Sequence, residues 1–99
     1  MDRGGYVYIM TNKYKTTLYV GVTSDLRSRV IQHRQHFYPD SFTAKYNLTS
    51  CVYYEHFLSI QEAIYREKEI KKFRREKKNN LINTINPAWN DLWGEIQKK

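Results

Sequence analysis

Two tyrosine-rich stretches, Tyr6-Val7-Tyr8-Ile9-Met10 and Tyr19-Val20-Gly21, decide the fold of this chain. The first alternates between two faces in a composition rich in aromatic and β-branched residues, which is typical of a strand. A polar turn, Thr11-Asn12-Lys13, lies between the two stretches. We therefore predict strands over residues 6–10 and 17–22, joined as a hairpin that presents two phenols.

A helix is expected directly after the hairpin. Ser24 is a good N-cap and Asp25 suits a first turn, so the helix is predicted over residues 25–36. Residues 37–50 are turn-prone and are predicted as a loop. Residues 51–56, Cys-Val-Tyr-Tyr-Glu-His, are predicted as a third strand.

The C-terminal half is predicted to be helical. A capping box, Ser59-Ile60-Gln61-Glu62, opens a long helix that ends near Lys72 or Arg75. Asn79 and Asn80 indicate a break, and a short helix over residues 80–84 follows and ends at Asn86-Pro87. A last segment is expected to pack back on the core through Trp89, Leu92, Trp93 and Ile96.

The predicted fold class is α/β in the α+β sense. It consists of a small three-stranded, mainly antiparallel sheet flanked by helices, in the order β-β-α-β-α-α. A length of 99 residues suits one domain, which we expect to span residues 1–99.

Composition and charge restrict the class of function. A hydrophobic content of 40% with 15% aromatic residues is typical of a folded globule. The formal net charge of +7 favours a polyanionic partner, and nucleic acid is the first candidate. No apolar run reaches the roughly 18 residues of a membrane span and no signal peptide opens the chain, so a membrane is the weaker alternative. A lone cysteine, Cys51, allows no internal disulfide, which favours a reducing cytoplasm.

Arg29 and His33 lie four residues apart on the first predicted helix, at the polar edge of a stripe that contains Leu26 and Val30. Two interpretations are open. Either Arg29 pairs with a surface acid and His33 is a hydrogen-bonded boundary histidine, or both face a functional site beside the tyrosines.

Glu67 occupies an unusual position on the second long helix. The apolar stripe of that helix consists of Ala63, Ile64, Ile70 and Phe73 at helical spacing. Glu67 lies inside this stripe, where a carboxylate is costly unless it is paired or holds a metal. The sequence leaves two options, a buried ion pair with an arginine such as Arg29 or a metal ligand.

Two further features allow contact with nucleic acid. Residues 66–78 carry eight Lys or Arg and three Glu, a run that is either a solvated helix face or a set of phosphate contacts. Aromatic residues interleaved with Lys45 either stack on unpaired bases or pack within their own loop. These are Phe37, Tyr38, Phe42 and Tyr46.

On these residues the chain resembles the GIY-YIG nuclease superfamily, in particular its small stand-alone members. The first signature corresponds to Val7-Tyr8 within Gly5-Tyr6-Val7-Tyr8-Ile9, so the Gly and Ile of the name are not literally present. The second signature corresponds to Tyr19-Val20-Gly21, with Val for Ile. The family's arginine and histidine positions match Arg29 and His33, and its metal-binding glutamate matches Glu67. Residues 86–92, Asn-Pro-Ala-Trp-Asn-Asp-Leu, resemble the C-terminal signature of the stand-alone subgroup.

The resemblance implies metal-dependent hydrolysis of a phosphodiester, with Tyr8, Tyr19, Arg29, His33 and Glu67 as catalytic residues. Glu67 would bind one divalent cation, Mg²⁺ or Mn²⁺, which would act as a Lewis acid. Arg29 would hold a phosphate oxygen and stabilise developing charge. Either Tyr8 or Tyr19 would orient or deprotonate the attacking water, and Tyr19 is slightly favoured. Because a free phenol has a pKa of about 10, it needs a nearby cation or a partner such as His33.

The remaining predicted site residues are contacts to nucleic acid. Gly21 would let a ligand or a helix approach the sheet closely because it has no Cβ. The full set of predicted contacts is Gly21, Lys45, Tyr46, Lys71, Lys72, Arg75 and Asn86.

Three functions are compatible with the sequence. The leading hypothesis is a structure-directed DNA endonuclease acting on repair or recombination intermediates, with RNA left open as a substrate. The others are a non-catalytic nucleic-acid-binding module of the same fold and a structural adaptor. An inward Glu67 favours the enzyme, because a pure binder has no reason to keep a buried carboxylate facing phosphate. Specificity is expected from substrate shape or from a targeting partner protein, and the sequence does not indicate an oligomeric state.

Overall fold

The computed structural model describes residues 4–98 and contains one antiparallel sheet packed between helices. Its elements are β1 Gly5–Thr11, β2 Leu18–Thr23, α1 Leu26–Arg34, α2 Phe42–Lys45, β3 Ser50–Phe57, α3 Ile60–Lys71, α4 Arg75–Ile85 and α5 Trp93–Ile96. The strand order is β2-β1-β3, and β1 pairs antiparallel with both neighbours. The predicted fold class and the order β-β-α-β-α-α are therefore confirmed, with two one-turn helices, α2 and α5, in addition.

The alternation along β1 divides the core between the two faces of the sheet. Val7 and Ile9 point to one face, where they pack with Ala63 and Ile70 of α3 and with Ile82 of α4. We call this the aliphatic face. The opposite face carries Tyr6, Tyr8, Met10 and Tyr19 and packs against α1 and α5. We call it the tyrosine face. Both faces are covered because a three-stranded sheet becomes stable only when its apolar side chains leave water.

The cap of α1 differs from the predicted one by one residue. Asp25, not Ser24, is the N-cap, and its Oδ1 accepts a hydrogen bond from the Ser28 N–H at 3.2 Å. The carboxylate also accepts from the Ser28 hydroxyl at 2.9 Å, which an N-cap serine would not do as well. The predicted N-cap of α3 is confirmed, since Ser59 Oγ accepts from the Glu62 N–H at 3.2 Å. The Glu62 carboxylate accepts from the Ser59 hydroxyl, where a full capping box would use the Ser59 backbone N–H.

Two predictions about helices in the polar segments were wrong. The helix α4 runs without interruption through Asn79 and Asn80, because Ile82 is buried in the aliphatic face and tertiary packing overrides the low helix propensity of asparagine. The predicted loop over residues 37–50 contains α2, whose N-cap Ser41 accepts from the Ala44 N–H at 3.2 Å. Ile64 was also placed wrongly in the apolar stripe of α3, since it is 38% exposed.

The C-terminal segment packs back on the core as predicted, and two polar side chains hold it there. Asn86 is buried, and its amide donates to the carbonyls of Val52 and Asn90 and accepts from the Asn90 N–H. The Asp91 carboxylate accepts from the Cys51 N–H at 3.2 Å and from the Arg34 guanidinium at 2.7 Å. Residues 86–92 therefore act as a clasp between β3 and α1. Within the described chain, no helix combines the length and the apolar composition needed to cross a membrane.

Arg75 fastens α4 to the turn between β1 and β2. Its Nη1 and Nη2 donate to the carbonyls of Thr16 and Lys15, each at 2.8 Å, and its Nε donates to Asn79 Oδ1 at 2.9 Å. All three nitrogens of this guanidinium are thus engaged within the protein. Nη1 and Nη2 each carry a second N–H, so the predicted phosphate contact of Arg75 stays a prediction.

Replacing Arg75 by alanine should lower the free energy of unfolding by about 1 kcal/mol or more, because backbone carbonyls of the turn lose a charged donor. Arg74 is the matched control. It is the adjacent exposed arginine and makes no side-chain cap hydrogen bond, so Arg74→Ala should stay within about 0.5 kcal/mol of the parent. Urea unfolding measures both values. Equal values for the two variants would show that the bonds of Arg75 contribute nothing to stability.

Candidate active site

The centre of the tyrosine face is the buried hydroxyl of Tyr8. Tyr8 has no exposed surface, and its Oη lies 2.8 Å from Nε2 of His33 on α1. A buried hydroxyl without a partner is costly, so the position of His33 is tied to that of Tyr8. The sequence had placed both residues in the predicted site, and the structure brings them into direct contact.

Gly21 provides the space for the Tyr8 ring. The two residues are paired across β1 and β2, and a Cβ on Gly21 would lie 2.4 Å from both Cζ and Oη of Tyr8. The missing side chain therefore admits a tyrosine ring from the neighbouring strand, where the sequence had suggested a ligand or a helix. Any residue larger than glycine would displace the phenol at the centre of the site.

The second nitrogen of His33 is held by a residue that the sequence analysis missed. Nδ1 lies 2.9 Å from Oγ1 of Thr43, which is buried on α2, and Thr43 Oγ1 lies 3.2 Å from the hydroxyl of Ser41. The Thr43 hydroxyl thus fixes the orientation of the ring, and because a hydroxyl both donates and accepts, it fits either tautomer of His33. The N-capping pattern of Ser41 was the signal for α2, and with it Thr43 would have been placed on a helix.

Burial keeps both groups of the Tyr8–His33 pair neutral near pH 7. Burial and then the negative charge of a Tyr19 phenolate raise the pKa of Tyr8 well above its usual value, and Arg29 offsets this in part. Burial, followed by the charge of Arg29, lowers the pKa of His33 to about 4. Neutral His33 has one ring nitrogen that accepts a hydrogen bond and one that donates a hydrogen bond. It can therefore bond to the hydroxyls of Tyr8 and Thr43 at the same time without being charged.

Arg29 brings a positive charge to this neutral pair. It is half-buried on α1, one turn before His33, and its positive charge partly offsets the rise that burial causes in the pKa of Tyr8. Within residues 4–98, no carboxylate forms an ion pair with Arg29. The expectation of a partner acid is thus not met, and the cation is left available to an anion from outside.

Tyr19 forms the outer wall of the site. Its ring centroid lies 6.3 Å from that of Tyr8 and 5.7 Å from that of His33. Unlike Tyr8, Tyr19 is only half-buried, so of the two phenols it is the one that faces water. Tyr8, Tyr19, Arg29 and His33 therefore lie together, as the sequence predicted.

Glu67 is buried on α3, and its partner is Lys71, not a residue of the Tyr8–His33 group. It is 9% exposed, and its Oε2 lies 2.7 Å from Nζ of Lys71, one helical turn later. The predicted arginine partner, Arg29 included, was wrong. In the described chain no hydrogen bond or ion pair joins Glu67 to Tyr8, Tyr19 or Arg29.

The donor set around Glu67 can be compared with the needs of a divalent cation. No group of three or more His, Cys, Asp or Glu side chains among the described residues is arranged to hold a metal. Mg²⁺ needs no such cage, because it is commonly bound by one or two carboxylates, several waters and substrate phosphates. The Oε1 of Glu67 has no hydrogen-bond partner within residues 4–98, so one carboxylate oxygen fits a cation whose other ligands come from water and phosphate.

The predicted nucleic-acid contacts fall into two groups. Lys45, Tyr46 and Lys72 are exposed and accessible to a ligand. Lys71 is half-exposed but paired with Glu67, whereas Gly21, Arg75 and Asn86 serve the contacts within the protein described above. The geometry tests no contact of these residues with nucleic acid, so all seven contacts stay predictions.

Comparison with known proteins identifies the family to which this chain belongs. The family model for the GIY-YIG catalytic domain matches residues 4–80, so the chain belongs to the GIY-YIG family, which is a family of nucleases. It is 38% identical over 81 residues to a UPF0213 protein of Staphylococcus saprophyticus and equally to one of Staphylococcus haemolyticus. Each alignment covers 78% of this chain and 92% of the relative. No solved structure matches the chain.

A Gly21→Ala substitution should destabilise the protein by about 1–3 kcal/mol, the usual cost of overpacking a core, because the new Cβ occupies the place of the Tyr8 ring. Gly94→Ala is the control, since a Cβ there meets nothing within 4 Å and alanine favours helix. Thermal unfolding compares the two variants. A melting temperature for Gly21→Ala equal to that of Gly94→Ala would contradict the packing of Tyr8 on Gly21.

Proposed function

We propose that this protein is a metal-dependent endonuclease that hydrolyses phosphodiester bonds in DNA, acting as one domain on structured repair or recombination intermediates. Membership of a nuclease family supports the reaction class. The net charge of +7 supports a polyanionic substrate. A protein partner that directs the domain to its substrate is part of the proposal.

The observation that carries the proposal is the uncompensated charge of Arg29. Its guanidinium lies beside two neutral groups, Tyr8 and His33, and has no carboxylate partner within the described chain. A half-buried cation in such a place is stabilised when an anion binds. A phosphate oxygen is the ligand that a guanidinium fork fits best, and charge that develops on it in the transition state strengthens the contact.

Glu67 is the residue proposed to hold the divalent cation on which GIY-YIG nucleases generally depend. When bound, Mg²⁺ or Mn²⁺ supplies Lewis-acid stabilisation of the phosphate. Lys71 now pairs with the Glu67 carboxylate, and since it is half-exposed it can turn into solvent or onto a phosphate once a metal ion neutralises the buried carboxylate in its place. The Glu67–Lys71 pair thus keeps a buried carboxylate neutralised until substrate and metal arrive.

The two tyrosines take different roles in this proposal. Tyr8 is fully buried and its pKa is raised, so it stays protonated and holds its proton between its own oxygen and His33. Tyr19 is the phenol that solvent reaches, and we assign it the orientation of the attacking water. Tyr8 then positions Arg29 and His33, and His33 accepts or donates a proton only through Tyr8 and Thr43.

The close Glu67–Lys71 contact also favours a second candidate function. If Lys71 never leaves the carboxylate, Glu67 is a structural residue and the domain is a non-catalytic nucleic-acid-binding module. The two candidates differ in whether the parent protein cleaves the DNA that it binds.

Glu67→Gln keeps the shape of the side chain and removes its charge. It should abolish Mg²⁺-dependent cleavage and leave DNA binding nearly unchanged, because one carboxylate holds the metal. The measurement is cleavage of flap, branched, nicked and linear DNAs with Mg²⁺, with Mn²⁺ and with EDTA.

Lys71→Gln is the matched variant, since it releases the same carboxylate instead of removing it. Cleavage should persist, at an equal or lower Mg²⁺ requirement. Undiminished cleavage by Glu67→Gln would remove Glu67 from the site. A parent protein that binds DNA but cleaves none of the substrates would favour the binding module.

A further inference from the structure

Three aromatic rings lead from the candidate active site out to solvent. The Tyr19 ring lies 6.3 Å from Phe42, and Phe42 lies 4.8 Å from Tyr46 between centroids. Phe42 opens α2 and Tyr46 follows its last residue, so they lie four apart on one side of this turn. We call Tyr19, Phe42 and Tyr46 the aromatic shelf.

The outer part of the shelf is not core. Phe42 is 46% exposed and Tyr46 is 47% exposed, although each already packs against the other. Aromatic rings that pack only to stabilise a fold remove most of their surface from water. A pair that stays half in solvent beside a functional site is typical of a binding surface.

The helix that carries the shelf is fixed to the catalytic groups. Thr43, between Phe42 and Tyr46 in the chain, is buried and bonds to His33, and Ser41 caps the same turn. The inward side of α2 therefore holds His33 while its outward side presents the rings. Since the shelf cannot move independently of the site, it is pre-organised for a ligand that occupies both.

The charge around the shelf suits nucleic acid. Residues 41–50 contain one lysine, the exposed Lys45, and no acidic residue. A basic side chain beside exposed rings is the combination that binds single-stranded nucleic acid, where bases stack on the rings and cations follow the backbone. Bases within a duplex are already stacked and offer the shelf no free face.

We propose that the aromatic shelf stacks an unpaired DNA base next to the phosphate held at Arg29, so that the protein selects strands with an unpaired nucleotide at the cleavage position. The inference rests on the proposed nuclease function for the phosphate at Arg29, but the stacking itself does not need cleavage. Because every base has an aromatic face, selection is by strand structure and not by sequence.

The test measures binding without cleavage, in EDTA. The probe is an oligonucleotide that carries 2-aminopurine in an unpaired flap, compared with the same oligonucleotide fully paired. The parent protein should bind the flap more tightly than the duplex and quench the 2-aminopurine fluorescence by stacking. Phe42→Leu and Tyr46→Leu, which keep apolar bulk but lose the ring, should each weaken flap binding by about five- to 100-fold and reduce the quenching.

Matched controls separate the shelf from exposed aromatic surface in general. Phe37 and Tyr38 are 59% and 55% exposed and pack on each other at 4.9 Å, with no ring contact to the shelf among the described residues. Phe37→Leu and Tyr38→Leu should change flap binding less than twofold. Phe42→Tyr, which keeps a ring, should bind the flap like the parent, and duplex binding at the parent's level would show that the leucine variants remain folded.

The outcomes divide clearly between the two proposals. Unchanged flap affinity and quenching in both leucine variants would overturn the shelf, as would an equal loss of duplex binding. Stacking that follows the predicted pattern in a protein that cleaves no DNA would leave the shelf intact and remove the proposed hydrolysis. Cleavage without any preference for unpaired nucleotides would leave the proposed hydrolysis intact and remove the shelf.

Discussion

A hydroxyl enclosed by protein must find its hydrogen-bond partner there, and the phenol of Tyr8 imposes this constraint on the whole site. Its ring needs the space above Gly21, its oxygen needs His33, and His33 needs Thr43. These four residues come from β1, β2, α1 and α2, so four elements of the fold meet at one hydroxyl. Because Tyr8 and His33 are both neutral, neither neutralises the charge of Arg29, and that charge is available to an external anion.

The fold follows from the sequence wherever burial has a clear period. Alternation in β1 and the apolar spacing of α3 predict elements that the structure contains, and the capping box at Ser59 marks the start of α3 correctly. Local signals failed where distant contacts decide. Asn79 and Asn80 read as a break, yet Ile82 is anchored in the core and Asn79 bonds to Arg75, so α4 continues through both.

The sequence predicts which residues form the candidate site, but it does not predict the contacts between them. Helical geometry places Arg29 and His33 on an inward edge, and in the structure His33 bonds to Tyr8 while the charge of Arg29 lowers the Tyr8 pKa. That Tyr8 lies on Gly21 depends on the register between two strands, which periodicity does not give. The Glu67–Lys71 contact, by contrast, is an i,i+4 pair that the sequence contains and that could have been inferred. Thr43 was missed because its short helix lies in a polar segment.

Titration of His33 tests most directly whether Tyr8, His33 and Arg29 share one buried site. NMR of the imidazole should give a pKa of about 4 in the parent protein. Arg29→Gln should raise this pKa toward the usual value, because the guanidinium disfavours the imidazolium, whereas Arg27→Gln, an exposed arginine on the same helix, should not change it. A His33 pKa near 6.5 that does not respond to Arg29 would contradict the account.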